Sequence, residues 1–209
     1  MMRCLLALAS LYVLQDGDGK PPAGATVLDS PQFVHEDGKA CAWTVTDGVM
    51  EVGKGSAMTK EKYQDFQLHL EFNIPQPPEG AKDQARGNSG VYIQRRYEVQ
   101  ILDSFGEEPK ANGGGSLYKQ KAPDKNAGKK PGEWQTYDIT FRGARFDASG
   151  KKVENARITV VWNGVKVHDD AELKDKTGAG KPEGPEPGPI LLQDHGAKVK
   201  FRNLWIVKK

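Results

Sequence analysis

Apolar and polar residues alternate along several short stretches of this chain. In the clearest of them, residues 66–72, four apolar side chains share one parity: Phe66, Leu68, Leu70 and Phe72. A period of two is typical of a β-strand with one buried face. Similar runs lie at 43–52, 90–102, 135–142, 157–168 and 190–207, with turn signals about every ten residues. The pattern predicts an all-β fold in which two antiparallel sheets pack as a sandwich.

The breaks between these runs carry the residues that tight turns require. Asp47-Gly48 separates two apolar runs and is typical of a two-residue β-hairpin, and Asn163-Gly164 repeats the signal. Residues 75–83 and 181–189 are rich in proline or glycine and are predicted to be loops. A further tight connection is predicted at Arg95-Arg96, between the runs 90–94 and 97–102.

The length of 209 residues favours a single domain, which we place at residues 26–209. Charge is nearly balanced, with 30 Lys and Arg against 28 Asp and Glu and a formal net charge of +2. Nucleic-acid binding normally requires a clustered basic face, whereas the basic residues here are scattered or lie in predicted turns. We therefore expect no nucleic-acid partner. The sequence does not indicate an oligomeric state.

The first residues have the pattern of a targeting segment. Arg3 precedes an apolar run from Cys4 to Leu14, which is too short to span a bilayer but fits the apolar part of a secretory signal. We predict a signal peptide at residues 1–15 and a secreted or periplasmic protein, with a buried N-terminal strand as the alternative. No lipobox cysteine follows the run, so no stable membrane anchor is expected. Removal of the signal would leave Cys41 without a second cysteine, which excludes an intramolecular disulfide.

The stretch 88–103 carries the densest candidate chemistry, at the junction of two predicted strands. Alternation places one set of side chains in the core and a second set together on the opposite face. The core set is Val91, Ile93, Val99 and Ile101, and the opposite set is Tyr92, Gln94, Glu98 and Gln100. Planar amides and carboxylates pair with sugar hydroxyls, and an aromatic ring covers the C–H face of a sugar. The opposite set is therefore a candidate carbohydrate site, with a merely solvated face as the alternative.

The stretch Leu192–Gly196 adds Gln193 and His195 at the same parity. A histidine pKa near 6.5 suits proton transfer at neutral pH. A lone histidine is also often structural, so we weigh a catalytic or ligand role and a structural role for His195 about equally.

Several short motifs occur in the order of a known family: Asn88-Ser89-Gly90, Tyr97-Glu98-Val99-Gln100-Ile101-Leu102-Asp103, Gly132-Glu133-Trp134, Gly188-Pro189-Ile190, Leu192-Gln193-Asp194-His195-Gly196 and Phe201-Arg202-Asn203. Each motif is weak alone, but the ordered set closely resembles the 3-keto-disaccharide hydrolase family over residues 26–208. The resemblance implies a concanavalin A-like jelly roll, usually on exported bacterial proteins. It also implies a carbohydrate substrate, namely a glycoside oxidised at C3.

A ketone at C3 of a glycoside makes the C2 proton acidic. A base can remove that proton, the enolate then expels the group on C1, and water addition completes net hydrolysis; a reaction that stops earlier is a lyase reaction. We expect Glu98 or His195 to be the catalytic base. An arginine or a divalent cation would stabilise the enolate, although no cofactor is certain and no metal-ligand spacing is recognisable. The substrate-binding candidates are Tyr92, Gln94, Gln100, Gln193, Arg96, Arg202 and Trp134.

Two other functions stay open at this point. Glu98-x-Gln100-x-x-Asp103 vaguely resembles the Glu-x-Asp-x-x-Glu pattern of glucanases that use two carboxylates, but Glu98 and Asp103 have opposite parity and would share a face only across a β-bulge. A non-catalytic carbohydrate-binding module would use the same polar residues. Release of product from a 3-keto-glucoside, from the unoxidised glucoside or from a β-glucan distinguishes the three functions.

Overall fold

The computed structural model describes residues 19–209, so the predicted signal peptide at residues 1–15 lies outside the described residues. Residues 19–209 form fifteen strands and two short 3₁₀-helices, at Ser30–Gln32 and Asp83–Ala85. In chain order the strands are β1 Thr26–Val27, β2 Phe33–Val34, β3 Thr44–Thr46, β4 Val49–Glu51, β5 Ala57–Thr59, β6 Asp65–Asn73, β7 Ser89–Ile93, β8 Tyr97–Ile101, β9 Trp134–Arg142, β10 Arg145–Phe146, β11 Lys152–Glu154, β12 Ala156–Trp162, β13 Val165–Leu173, β14 Leu191–Leu192 and β15 Lys200–Lys208.

The strands form two antiparallel sheets and a small ribbon. The large sheet has eight strands in the order β13-β12-β9-β6-β15-β4-β3, with β1 paired to β15. The small sheet has five strands in the order β2-β5-β14-β7-β8, and β10 pairs with β11. Apolar side chains from both sheets form one buried cluster between them. The predicted antiparallel two-sheet sandwich is confirmed.

Strand β6, at the centre of the large sheet, shows how alternation builds the core. Phe66, Leu68, Leu70 and Phe72 are all at most 1% exposed and belong to the buried cluster. Its neighbours β9 and β15 pair with it along its whole length, apart from one bulge in β15. The predicted inward face of this strand is therefore correct.

Two of the predicted hairpin turns have the backbone conformation that their residues favour. Asp47 and Gly48 have φ angles of 50° and 75° between β3 and β4, and Asn163 and Gly164 have 50° and 78° between β12 and β13. Two successive residues with positive φ match the right-handed twist of the flanking strands. No helix within residues 19–209 is long and apolar enough to cross a membrane.

The turn between β7 and β8 begins one residue earlier than predicted. Gln94 and Arg95 carry the positive φ angles, 54° and 59°, and the N–H of Arg96 closes the turn on the carbonyl of Ile93. Strand β7 accordingly ends at Ile93, and the turn comprises Gln94, Arg95 and Arg96. The predicted connection at Arg95-Arg96 is correct, but it also includes Gln94, which was assigned to the strand. The shift moves Gln94 from a strand face into the turn.

Two connecting segments pack against the edge of the small sheet at β8. The first, residues 102–133, pairs with the strand through the N–H of Tyr118, which donates to Glu98 O, and through a bridge between Leu117 and Val99. The second, residues 174–189, runs past the β7–β8 turn, where the N–H of Thr177 donates to Arg96 O. These two segments cover the outer face of β7 and β8.

Candidate functional site

The outer face of the small sheet carries the candidate site. Val91, Ile93, Val99 and Ile101 belong to the core cluster, which leaves Tyr92, Glu98 and Gln100 on the opposite face, as alternation predicted. These three side chains are nevertheless only 1–3% exposed. The covering segments therefore bury a face that the sequence indicates as open, and we call this covered region around Tyr92, Glu98 and Gln100 the hollow.

Glu98 lies across Gly90 on the neighbouring strand. A Cβ atom built on Gly90 would stand 2.5 Å from Glu98 Oε1 and 3.0 Å from its Cγ, so a side chain at position 90 would displace the carboxylate. The second carboxylate oxygen, Oε2, accepts a hydrogen bond of 2.8 Å from the hydroxyl of Tyr92. Gly90 and Tyr92, which both belong to β7, thus fix the Glu98 carboxylate in one orientation.

Burial dominates the electrostatics of Glu98. Removal of the carboxylate from water raises the pKa of Glu98 from 4.5 to about 7, although the Tyr92 hydrogen bond and the positive charges of Arg95 and Lys119 oppose the rise. Burial also raises the pKa of Tyr92, and the nearby carboxylate adds to that rise. A carboxyl group with a pKa near neutrality can both accept and return a proton, which is the property required of a general base.

Four side-chain amides, those of Gln84, Asn88, Gln100 and Gln193, lie around the same part of this outer face, near Gly90. Gln84 Oε1, from the loop before β7, accepts hydrogen bonds of 3.0 Å from both Asn88 Nδ2 and Gln100 Nε2. Gln193, just after β14, is attached through its backbone, because its N–H donates to Gly90 O at 3.0 Å and its carbonyl accepts from Ser89 Oγ. Gln100 pairs with Gly90 from the other side, so the amides of residues 100 and 193 flank the same glycine.

Three of these amides present unused hydrogen-bonding capacity. The oxygens Asn88 Oδ1, Gln100 Oε1 and Gln193 Oε1 are buried and have no hydrogen-bond partner among residues 19–209. A buried acceptor without a partner costs about 1–3 kcal/mol, so such groups are normally satisfied by a ligand, a water molecule or protein. Three acceptors on the face that also carries a carboxylate match a ligand that carries several hydroxyl donors.

A short part of the second covering segment closes the hollow. The backbone N–H of Glu98 donates to the Thr177 hydroxyl at 2.5 Å. A Cβ atom on Gly178 would lie 3.4 Å from Glu98 Oε2 and 3.2 Å from the Tyr118 ring. The absence of a side chain at position 178 lets the backbone pass directly over the carboxylate.

Gln94 and Arg96 do not take part in the hollow, contrary to prediction. The Gln94 amide donates to Tyr63 O at 2.8 Å and accepts from Arg96 Nη1 at 2.7 Å. Arg96 also donates to Glu186 O at 3.0 Å. Both side chains therefore attach the β7–β8 turn to neighbouring loops, because the turn begins one residue before the predicted position.

Arg202 and Trp134, two of the substrate-binding candidates, lie on the large sheet and not on the small sheet that carries Glu98. The Arg202 guanidinium lies 4.0 Å from the centre of the Trp134 ring and forms a 2.7 Å ion pair with Glu71. All three residues belong to β15, β9 and β6 of the large sheet and point away from the core. The motifs that contain Arg202 and Trp134 do not indicate on which sheet these residues stand.

His195 lies outside the closed hollow. It is exposed in the turn after β14 and makes no hydrogen bond or ion pair with another described residue. Its neighbour Asp194 shapes this turn by accepting a 2.9 Å hydrogen bond from the N–H of Gly196, and joins the turn to the loop after β4 by accepting one of 2.8 Å from the N–H of Gly55. His195 therefore touches neither Glu98 nor Tyr92 in this structure.

Sequence reasoning missed several contributors to the site. Arg95, not Arg96, is the arginine near the carboxylate, with its guanidinium 5.3 Å from the centre of the Tyr92 ring. Asn88 has the parity of Gly90 and Tyr92 and could have been included on that ground. Gln84 and Thr177 come from loops, where no periodicity points to a direction.

An open cleft with about 270 Å³ of empty volume lies beside the amide group and shares Gln84 with it. Its lining also includes Arg86 and Asp103, which form a 2.7 Å ion pair.

Within residues 19–209, no group of three or more His, Cys, Asp or Glu side chains could hold a metal ion.

Comparison with solved structures gives relatives of the same architecture. A protein of Parabacteroides distasonis, assigned as a candidate glycosyl hydrolase, superposes with a TM-score of 0.84 at 36% identity, over 93% of this chain and 89% of that one. A second candidate glycosyl hydrolase from the same organism has a TM-score of 0.65 at 20% identity, over 89% of this chain and 94% of that one. A variant of the alginate lyase Aly36B, bound to an alginate tetrasaccharide, shares the fold with a TM-score of 0.53 at 10% identity, over 89% and 97%. None of the curated proteins matches this chain.

The relatives indicate a carbohydrate-active protein of the glycosyl-hydrolase type with a jelly-roll fold. The model of the 3-keto-alpha-glucoside-1,2-lyase-like domain matches residues 21–207. This range is nearly the whole chain, and the chain belongs to that family.

Proposed function

We propose that this protein cleaves glycosides oxidised at C3, and that Glu98 is the base that removes the C2 proton. The observation that carries the proposal is the state of Glu98: a buried carboxyl group with a pKa of about 7, oriented by the Tyr92 hydroxyl, on a face that also carries unsatisfied amide oxygens. A solvated carboxylate with a pKa near 4 would be a much weaker base. The family match supports the choice of a 3-keto substrate.

The chemistry proceeds without an oxocarbenium ion. Glu98 takes the C2 proton, and the electrons of the C–H bond form an enolate with the C3 ketone. Collapse of the enolate expels the C1 substituent with its bonding electrons and leaves an unsaturated ketone, to which water can add. Elimination alone gives a lyase, and elimination followed by hydration gives net hydrolysis.

The residues around Glu98 then have distinct roles in the proposed reaction. Tyr92 holds the carboxylate in place through its 2.8 Å hydrogen bond. Gln100 and Asn88 accept hydrogen bonds from sugar hydroxyls through their unpaired oxygens. The amide of Gln193 makes no hydrogen bond with a described residue, so its N–H is available to the developing charge on the C3 oxygen. We assign no step to His195, because it lies outside the hollow.

Conventional hydrolysis by two carboxylates is less well supported. That mechanism needs a second carboxyl group about 5–9.5 Å from the first. The charges that act on Glu98 are the cations Arg95 and Lys119, with no carboxylate among them. Asp103 is buried against Arg86, which donates two hydrogen bonds to its Oδ2. A carboxylate held in an ion pair with an arginine is poorly suited to act as the second catalytic carboxyl group.

The test is a comparison of three substrates: a 3-keto-glucoside, the unoxidised glucoside and a β-glucan. We expect release of the C1 substituent from the ketone alone, with Glu98→Gln lowering the rate by about 10²–10⁴ and His195→Ala by a few-fold at most. Release from the glucan would support the two-carboxylate mechanism instead. Binding of all three sugars without release would make the protein a carbohydrate-binding module.

A further inference from the structure

Residues 174–189 form a segment that is bound to the protein without apolar anchors. It is bounded by Leu173 and Ile190, which are both fully buried. Between them the buried residues are Thr177, Gly180 and Gly188, none of which buries a large apolar side chain. A segment held by hydrogen bonds rather than by hydrophobic contacts can open at low free-energy cost.

This segment stands between the carboxylate and solvent. Glu98 is only 3% exposed, and Thr177 and Gly178 lie directly against it. A general base must come within about 2.6–3.2 Å of the atom that loses the proton, or reach it through one water. Movement of the residues around 177 and 178 would let a sugar come within that distance of the carboxylate.

Arg95 joins this segment to the base. Its Nη1 donates to Ala179 O at 2.7 Å, and its Nε donates to Glu36 Oε1 at 2.8 Å. Its carbonyl accepts a 2.8 Å hydrogen bond from the N–H of Lys181. The same guanidinium lies over the ring of Tyr92, which in turn holds Glu98. One side chain thus contacts the segment, a surface carboxylate and the residue that orients the base.

The groups that face Glu98 come from four parts of the chain. Tyr92 on β7 donates to it, and Thr177 on the segment binds its backbone. Arg95 in the turn and Lys119 in the first covering segment act through their positive charges. Loss of Arg95 removes one of two cations that favour the carboxylate, so Glu98 would hold its proton to a higher pH.

We propose that Arg95 is a positioning residue for the reaction at Glu98, and that it holds residues 177–181 closed over the carboxylate. The catalytic part of this inference rests on the proposed function, whereas closure of the segment does not. Arg95 touches neither the substrate nor the reacting atoms. It acts through Ala179, Glu36 and the Tyr92 ring.

The neighbouring Arg96 provides a matched control. It stands in the same turn and binds the same segment at Glu186, but its charge is not among those that act on Glu98. We would compare Arg95→Gln with Arg96→Gln, include Arg95→Lys as the conservative variant, and check by urea denaturation that all three remain folded. Exchange of the Lys181 and Thr177 amide hydrogens and the titration of a ¹³C-labelled Glu98 carboxyl would be followed by NMR.

Arg95→Gln should speed the exchange of both amides at least several-fold and move the Glu98 titration to higher pH, whereas Arg96→Gln should leave both unchanged. Arg95→Lys should restore part of the titration shift. With a 3-keto-glucoside, the acid limb of the kcat/KM profile should follow the titration. Wild-type exchange and titration in Arg95→Gln, or equal effects of the two glutamine variants, would overturn the proposal. Absence of turnover by the wild-type protein would instead refute the proposed function, and the two NMR readouts would still decide the role of Arg95.

Discussion

Replacement of Glu98 by glutamine should stabilise the folded protein at neutral and alkaline pH. The variant keeps the shape of the side chain and an oxygen that can accept from Tyr92, but it removes the buried negative charge. Because the folded-state pKa of about 7 lies above the unfolded value near 4.5, the folded protein holds this proton more tightly than the unfolded chain. The contribution of Glu98 to stability is therefore intact at about pH 4 and is lost as the pH rises through 7.

The size of the effect follows from the pKa difference. One pKa unit corresponds to about 1.36 kcal/mol, so the rise from 4.5 to about 7 costs about 3 kcal/mol once the carboxylate is fully ionised. For a protein of this size, that free energy corresponds to roughly 6–12 °C in Tm. Glu98→Gln should recover most of this free energy at about pH 8 and almost none of it at about pH 4.

The assay is urea denaturation of wild type and variant across that pH range, with the free energy of unfolding taken from the midpoint and slope. Glu71→Gln is the matched control on the other sheet. Burial raises the pKa of Glu71, but hydrogen bonds from Asn203 and Arg202 outweigh it and the pKa is lowered. The contribution of Glu71 is therefore present at neutral pH and lost on acidification, so Glu71→Gln should destabilise at neutral pH and converge with wild type in acid. If Glu98→Gln were no more stable than wild type at about pH 8, the ionised carboxylate of Glu98 would not lower the free energy of unfolding. That result would refute the assignment of a raised pKa to Glu98.

Three further predictions concern the same hollow. Gly90→Ala should leave the fold intact but lower kcat by about 10²-fold, because its Cβ would lie 2.5 Å from Glu98 Oε1 and displace the carboxylate. Steady-state kinetics checks this, with urea denaturation to confirm that the variant is as stable as wild type. An unchanged kcat would contradict the prediction. Gln193→Leu should change the free energy of unfolding by less than about 0.5 kcal/mol, because its side-chain amide has no hydrogen-bond partner among the described residues. The same variant should raise KM about tenfold in steady-state kinetics. A large loss of stability with unchanged KM would contradict a binding role for Gln193. Tyr92→Phe removes a hydrogen bond that lowers the Glu98 pKa, so the acid limb of the kcat/KM profile should move to higher pH; a shift to lower pH would reverse the inferred sign.

Local alternation was sufficient to predict the sandwich and the face on which Tyr92, Glu98 and Gln100 stand. Side chains on a strand alternate with a period of two, so the buried positions Val91 and Val99 determine where their neighbours point. The same rule failed at Gln94, because the chain leaves the strand at Ile93 and a turn with positive φ begins. A shift of one residue at a strand end is enough to remove a side chain from a predicted site.

The remaining errors and omissions have a different origin. Arg202 and Trp134 do point outward, but on the large sheet, and only the order of the strands in space reveals this. The cover over Glu98 comes from residues far away in sequence, Thr177 and Gly178, in a stretch without any periodic pattern. The raised pKa of Glu98 is a consequence of that cover, so it could not be predicted from the strand alone.

The removal of the C2 hydrogen tests the central claim most directly. The substrate would be a 3-keto-glucoside with deuterium at C2, and the measured quantity would be the rate at which deuterium appears in water. The wild-type protein and Glu71→Gln should release deuterium at the rate of cleavage, and Glu98→Gln should release it about 10²–10⁴ times more slowly. Cleavage without release of deuterium, or equally fast release by Glu98→Gln, would contradict the role of Glu98 as the base.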